Sequence, residues 1–269
     1  MKYSYLVGCV LATISLTPRD IYACGCAFGV LESAPGEGAV IPTNASLYVL
    51  YADIPQEDGH LTVMSSGQEL PLIYADTKNG STNSRWGTPA AELPPDTDLQ
   101  WELWQGPLLT FSTGSAADHV APSGGNTITD AVGFYDKGSS SSCGGTVGVR
   151  VQLDPATDDS PVLYEVQIAH DNVFEQAVST ILSTTSRVVV GQEVIDACVA
   201  NYYELDAGDT VWVRGRSVDI AGNTNVWSDA TEITVPTCSM AANTSSGFTW
   251  AALALLGLRA SRRRLPHRR

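Results

Sequence analysis

The stretch Leu205-Asp206-Ala207-Gly208-Asp209-Thr210-Val211-Trp212-Val213-Arg214-Gly215-Arg216-Ser217-Val218-Asp219-Ile220-Ala221-Gly222-Asn223 opens on an acidic turn, continues as an alternating run over Thr210–Ser217 and closes on a second turn. Alternation with period two is the mark of a strand with one buried face. The pattern repeats outward from there. Thr146–Leu153, Tyr164–His170, Ser186–Val190 and Thr231–Val235 read as strands in the same half of the chain, and Trp227-Ser228 opens the last of them. In the other half, His60–Met64, Glu69–Tyr74, Leu99–Trp104 and Leu108–Ser112 do the same, with Leu47, Val49 and Tyr51 expected on one face of a further strand. Gly, Pro, Asn and Asp clusters separate these runs, and no segment of any length has helical periodicity. The expectation is an all-β chain of two tandem β-sandwiches.

The order of features in Leu205–Asn223 resembles the F strand and FG loop of a fibronectin type III domain: Leu and Gly before the strand, Asp-x-x-Gly-Asn after it. Val211 stands where that family usually has its corner tyrosine, so the corner hydrogen bond is absent or made differently. Earlier in the chain, Pro35-Gly36-Glu37-Gly38-Ala39-Val40-Ile41-Pro42-Thr43-Asn44 precedes an apolar strand, and Phe111-Ser112-Thr113-Gly114 ends the region. This resembles the bacterial Ig-like domain typified by the S-layer protein SbsA. The resemblances imply an Ig-like module over 27–117 and a fibronectin-like module over 121–236, joined by the short link Asp118–Gly125.

Length and composition agree. A chain of 269 residues with 43% apolar and 16% charged residues suits two modules of roughly 100 residues each. Between Cys24 and Cys238 lie only 7 of the 15 basic residues but 28 of the 29 acidic ones. So acidic a body repels nucleic acid and anionic lipid. Solubility outside the cell accounts for the charge, with divalent-cation binding as the alternative.

Both ends read as addresses. Met1-Lys2 and the apolar Tyr5–Ile14 form a basic and then a hydrophobic region, and Ala23 offers a cleavage point, giving a signal peptide over 1–23. At the other end, Cys238-Ser239 is followed by a small-polar spacer, an apolar stretch over 248–258 and an arginine cluster. That order resembles the tripartite MYXO-CTERM sorting signal of myxobacterial exported proteins. The resemblance implies a transient membrane anchor over 238–269, cut near Cys238 by processing machinery, with the body displayed at the cell envelope or outer surface. An ordinary single-span anchor is the alternative. Eleven apolar residues at ~1.5 Å each make roughly 16 Å of hydrophobic helix, a marginal span beside a ~30 Å core, and the arginines favour the cytoplasmic side.

In an oxidising compartment Cys24, Cys26, Cys143 and Cys198 allow three disulfide pairings. Cys143–Cys198 is favoured because both fall in the second module, where a closed loop of that size stabilises by about 3–4 kcal/mol. Neither lipidation of Cys24 nor metal binding by Cys24-Gly25-Cys26 is favoured.

There is no Gly-x-Ser-x-Gly, no His-Glu-x-x-His, no phosphate loop and no dinucleotide fingerprint. His60, His119 and His170 stand apart from one another in the chain and read as surface residues. The acidic clusters Asp154, Asp158, Asp159 and Asp206, Asp209 are weak Ca²⁺ candidates in loops that otherwise read as solvated turns, and no other cofactor is expected. Trp86, in an Asn/Ser/Gly-rich stretch read as a loop, is the candidate contact residue, and one of Trp101 and Trp104 is expected in the core. The expected function is structural, adhesive or ligand-binding and non-catalytic, toward an envelope or extracellular protein or polysaccharide. The alternative is a carbohydrate-binding accessory module or an envelope enzyme component.

Overall fold

The computed structural model describes residues 30–51, 59–79, 82–104, 106–136, 146–175, 179–191, 193–195, 198–200 and 205–237. Every regular element among them is a strand. The first sandwich contains β1 (Val30–Ala34), β2 (Val40–Ile41), β3 (Leu47–Tyr51), β4 (His60–Val63), β5 (Gln68–Leu70), β6 (Leu72–Asn79), β7 (Thr82–Pro89), β8 (Asp98–Glu102) and β9 (Leu108–Thr113). The second contains β10 (Ser123–Gly124), β11 (Ile128–Asp136), β12 (Thr146–Leu153), β13 (Ala156–Thr157), β14 (Val162–Ala169), β15 (Ser179–Ser183) and β16 (Arg187–Gly191). It continues with β17 (Glu193–Ile195), β18 (Cys198–Ala200), β19 (Thr210–Asp219) and β20 (Thr231–Thr234).

In the first sandwich a sheet of order β1-β3-β7-β6 packs on one of order β2-β9-β8-β4-β5. Leu47, Leu61, Leu99, Trp101 and Phe111 fill the space between them. The run Glu69–Tyr74, expected as one strand, is two. Pro71, which has no N–H for a ladder, marks the break where the chain leaves β5 in one sheet and enters β6 in the other. Its carbonyl is used nonetheless, accepting from the Ala90 N–H at 3.0 Å.

In the second sandwich β11-β12-β16 packs on β15-β14-β19-β20. Alternation in β19 sends Val211 and Val213 into the core and leaves Trp212, Arg214 and Arg216 on the outer face. There both guanidinium groups stack on Trp227, at 4.7 and 4.2 Å from its ring centroid, and Arg214 also covers Phe174 at 4.2 Å. Gly215 on the inner face leaves room for Leu153: a Cβ there would lie 2.6 Å from Leu153 Cδ2, so that buried side chain would have to shift. With valine at position 211, no corner hydrogen bond arises from that residue, and a tyrosine on the neighbouring strand β14 takes a different role: the Tyr164 hydroxyl accepts from the Ala156 N–H at 2.9 Å.

The two sandwiches are not beads on a string. All five residues of β3 are buried, not Leu47, Val49 and Tyr51 alone. The second face of this strand is covered by the other sandwich: the Tyr48 hydroxyl donates to the Leu182 carbonyl at 3.0 Å, and Glu32 of the neighbouring β1 accepts from the Thr184 N–H at 2.6 Å and the Ser183 hydroxyl at 3.1 Å. Leu163, Val218 and Ile220 belong to the same apolar cluster as the core of the first sandwich. The Ser46 N–H closes the seam by donating to the Ile220 carbonyl at 2.7 Å.

Candidate acidic site at the module junction

Three carboxylates meet at this seam. Asp118 lies in the link between β9 and β10, Asp158 in the turn between β13 and β14, and Asp219 is the last residue of β19. One donor oxygen from each lies within 4.8 Å of the other two.

Each is fixed by its own local chemistry. Asp219 is fully buried, and its side chain caps the Asp219–Asn223 turn by accepting from the Asn223 N–H and Nδ2, both at 2.8 Å. Gly222 permits that turn with φ of 91°. The backbone of Asp118 is clamped reciprocally by Asn44 of the first sandwich, whose Nδ2 donates to the Asp118 carbonyl at 2.7 Å and whose Oδ1 accepts the Asp118 N–H at 2.9 Å. Asn223 Nδ2 reaches the same carbonyl at 3.3 Å. The Asp118 carboxylate accepts from the Ser160 hydroxyl and from the Val120 N–H. Asp158 Oδ1 accepts from the Ser160 N–H at 3.2 Å, while Oδ2 is shut off from solvent with no hydrogen-bond partner among the described residues.

The electrostatics follow from this. Burial pushes the Asp219 carboxyl above its ordinary value of 3.8, opposed by the Asn223 hydrogen bonds and reinforced by the charges of Asp118 and Asp158. Asp118 moves the other way: the Ser160 hydroxyl, chiefly, holds it below its ordinary value, and His119 beside it adds to the effect. A cleft of about 380 Å³ reaches the cluster at Asp118, and is lined also by Val40, Pro42, Ser115, Asp159 and Ser160 among others.

The residues singled out from the sequence are placed differently. Asp154 is a turn cap, its Oδ1 accepting from the Thr127 N–H at 2.7 Å. Asp206 and Asp209 close their own turn, Asp209 Oδ2 accepting the Asp206 N–H at 2.7 Å. Asp159 lines the cleft, and of the five candidates Asp158 is the one in the three-carboxylate cluster. Trp86 is not in a loop. It sits on β7, an interior strand, partly buried against Tyr48 with ring centroids 5.3 Å apart. Trp101 is fully buried, and Trp104 packs edge-on against Tyr51 at 6.3 Å. His60, His119 and His170 are exposed. Cys198 lies on β18, whereas Cys143, Ala23, Cys238, Ser239 and the apolar stretch 248–258 fall outside the described residues.

The fold and the junction define a tandem β-sandwich protein. No known protein family matches the chain, and no curated relative does. Among solved structures it is similar to the chicken CNTN1 FN1–FN3 domains, at 12% identity and a TM-score of 0.27, over 78% of this chain and 66% of that one. The tandem Ig repeats of Dlar align at 12% identity and a TM-score of 0.24, over 78% and 98% of the two chains. A Mycobacterium tuberculosis L,D-transpeptidase 1 aligns at 15% identity and a TM-score of 0.24, over 48% and 78%.

Proposed function

We propose that this chain is an exported, surface-attached Ig-like protein whose work is structural, adhesive or ligand-binding rather than catalytic. The observation that carries the reading is the fused pair of sandwiches, with Tyr48, Glu32 and Ile220 bridging them. A covered seam of this kind suits a stiff spacer or presenting arm, since relative motion is the default for modules joined only by a linker. Two sequence features support the location: the signal-peptide-like start, and the Cys238-Ser239, apolar and arginine-rich order of the last 32 residues. The 28 acidic residues facing 7 basic ones between Cys24 and Cys238 favour an aqueous exterior over a nucleic-acid or anionic-membrane partner.

Peptide-level mass spectrometry of the protein isolated from its native cell envelope tests this. The expected result is a mature chain lacking the N-terminal leader and ending near Cys238. A chain retained in the cytoplasm with Met1 intact would overturn the reading. Recovery of a C-terminus through Arg269 in the envelope would replace the processed form by an ordinary anchor.

A further inference from the structure

We infer that Asp118, Asp158 and Asp219 form a binding site for Ca²⁺ that locks the two sandwiches together. The inference rests on the geometry of the junction and not on where the protein resides.

Two observations on the same cluster point to a cation. The first is the convergence: three carboxylates from the link, from a turn and from a strand end bring donor oxygens within 4.8 Å of one another. Like charges so placed repel, and among the described residues no lysine or arginine forms an ion pair with any of the three. The second is a buried orphan. Asp158 Oδ2 is sealed from water yet accepts no hydrogen bond, and it belongs to a residue already in the cluster. A buried carboxylate oxygen with no donor is costly unless something positive faces it. Asp219, 0% exposed, accepts two hydrogen bonds from Asn223, and among the described residues no cation pairs with its charge.

The donor chemistry selects the ion. The set offers oxygen alone, with no thiolate and no imidazole in the cluster, which favours a hard cation over zinc or copper. The three oxygens lie within 4.8 Å of one another, close enough for one ion to touch all three. Ca²⁺ is chosen over Mg²⁺ because Mg²⁺ dehydrates reluctantly and is seldom held by protein carboxylates in a sheltered site. Three carboxylates leave several coordination positions open, and the cleft of about 380 Å³ meets the cluster at Asp118 alone, so water would complete the shell from that side.

The position gives the site its consequence. Asp118 is in the link, Asn44 ties its backbone to the first sandwich, and Asp158 and Asp219 belong to the second. An ion held by all three fixes the link to both bodies and relieves the repulsion among the carboxylates. Removing it leaves that repulsion inside the seam.

The test uses the full chain, freed of metal with chelator, with CaCl₂ as the probe. Titration calorimetry is expected to show Ca²⁺ binding, and the melting temperature is expected to rise by about 5–10 °C when Ca²⁺ is in hundredfold excess over its Kd. Asp158→Asn and Asp219→Asn should each weaken Ca²⁺ at least tenfold and shrink the thermal shift. Asp219→Asn keeps an acceptor for Asn223, and Asp158→Asn serves should the buried variant fail to fold. Asp206→Asn, in a separate acidic turn, should leave binding unchanged. Superimposable melting curves in chelator and millimolar Ca²⁺, with no binding heat, would overturn the inference. So would a shift that survives both junction variants but disappears in Asp206→Asn. Mg²⁺ producing an equal shift at equal concentration would overturn the choice of Ca²⁺.

Discussion

Ile220 tests whether the seam couples the two sandwiches. It is fully buried, it joins the apolar cluster of the first sandwich although it follows β19 of the second, and its carbonyl receives the Ser46 N–H. Ile220→Ala keeps the backbone hydrogen bonds and removes three carbon groups. At ~0.8 kcal/mol each, transfer alone accounts for about 2.4 kcal/mol, and the cavity left between two stiff sheets brings the loss to about 3–4 kcal/mol. At about 2–4 °C per kcal/mol for a folded unit of this size class, this lowers the melting temperature by about 6–15 °C. Urea unfolding gives the free energy, and scanning calorimetry of the full chain gives the shape of the transition. Wild type should melt as one unit, whereas Ile220→Ala should separate or broaden the transition as the sandwiches lose their grip on each other. Val211→Ala, in the core of the second sandwich alone, is the comparison: it should lower the transition without splitting it. A loss below about 1 kcal/mol for Ile220→Ala would refute the packed seam, because a side chain so enclosed cannot be trimmed that cheaply.

Three further outcomes follow from individual contacts. Gly215→Ala should destabilise by about 1–3 kcal/mol in urea, since the new methyl would stand 2.6 Å from Leu153 Cδ2; an unchanged midpoint would show that this inner face has room to spare. Glu32→Ala should lower stability by about 1–3 kcal/mol through loss of the acceptors for Thr184 and Ser183, and a neutral result would remove this contact from the seam. The last concerns acid. The Arg85 hydrogen bonds hold the Asp76 carboxyl below its ordinary 3.8, so its contribution is present above that value and is lost as pH falls through the lowered folded pKa. Asp76 is about half exposed, so solvent screening limits the effect to about 1 kcal/mol. Asp76→Asn should therefore be less stable than wild type at neutral pH, with the gap closing in acid; a gap independent of pH would mean that charge is not its source.

Several strands were legible because alternation is a local signal. Thr146–Leu153 has the expected bounds, and Thr210–Ser217 extends only by two residues, to Asp219. β7 was not legible: Thr82–Pro89 is rich in Thr, Asn, Ser and Gly and reads as a loop, yet it lies between β3 and β6 and is held there by both ladders. That placement turned Trp86 from a candidate loop contact into a partner of Tyr48. Propensity is a weak guide for an interior strand whose partners supply the hydrogen bonds.

The acidic site shows the same division more sharply. From the sequence, Asp158 belongs with Asp154 and Asp159, its neighbours along the chain, and Asp118 is a linker residue with no evident company. In the folded chain Asp154 turns to Thr127, while Asp118 and Asp219, distant in sequence, come to Asp158 because β14 and β19 are antiparallel neighbours and the link returns past their shared end. By itself the sequence determined the all-β class, the inward and outward faces of the strands and the excess of negative charge, since each depends on neighbours one or two residues away or on composition alone. Only the tertiary structure decided which carboxylates share a site and which strand faces are buried twice, because both depend on contacts that sheet topology makes between residues far apart in the chain.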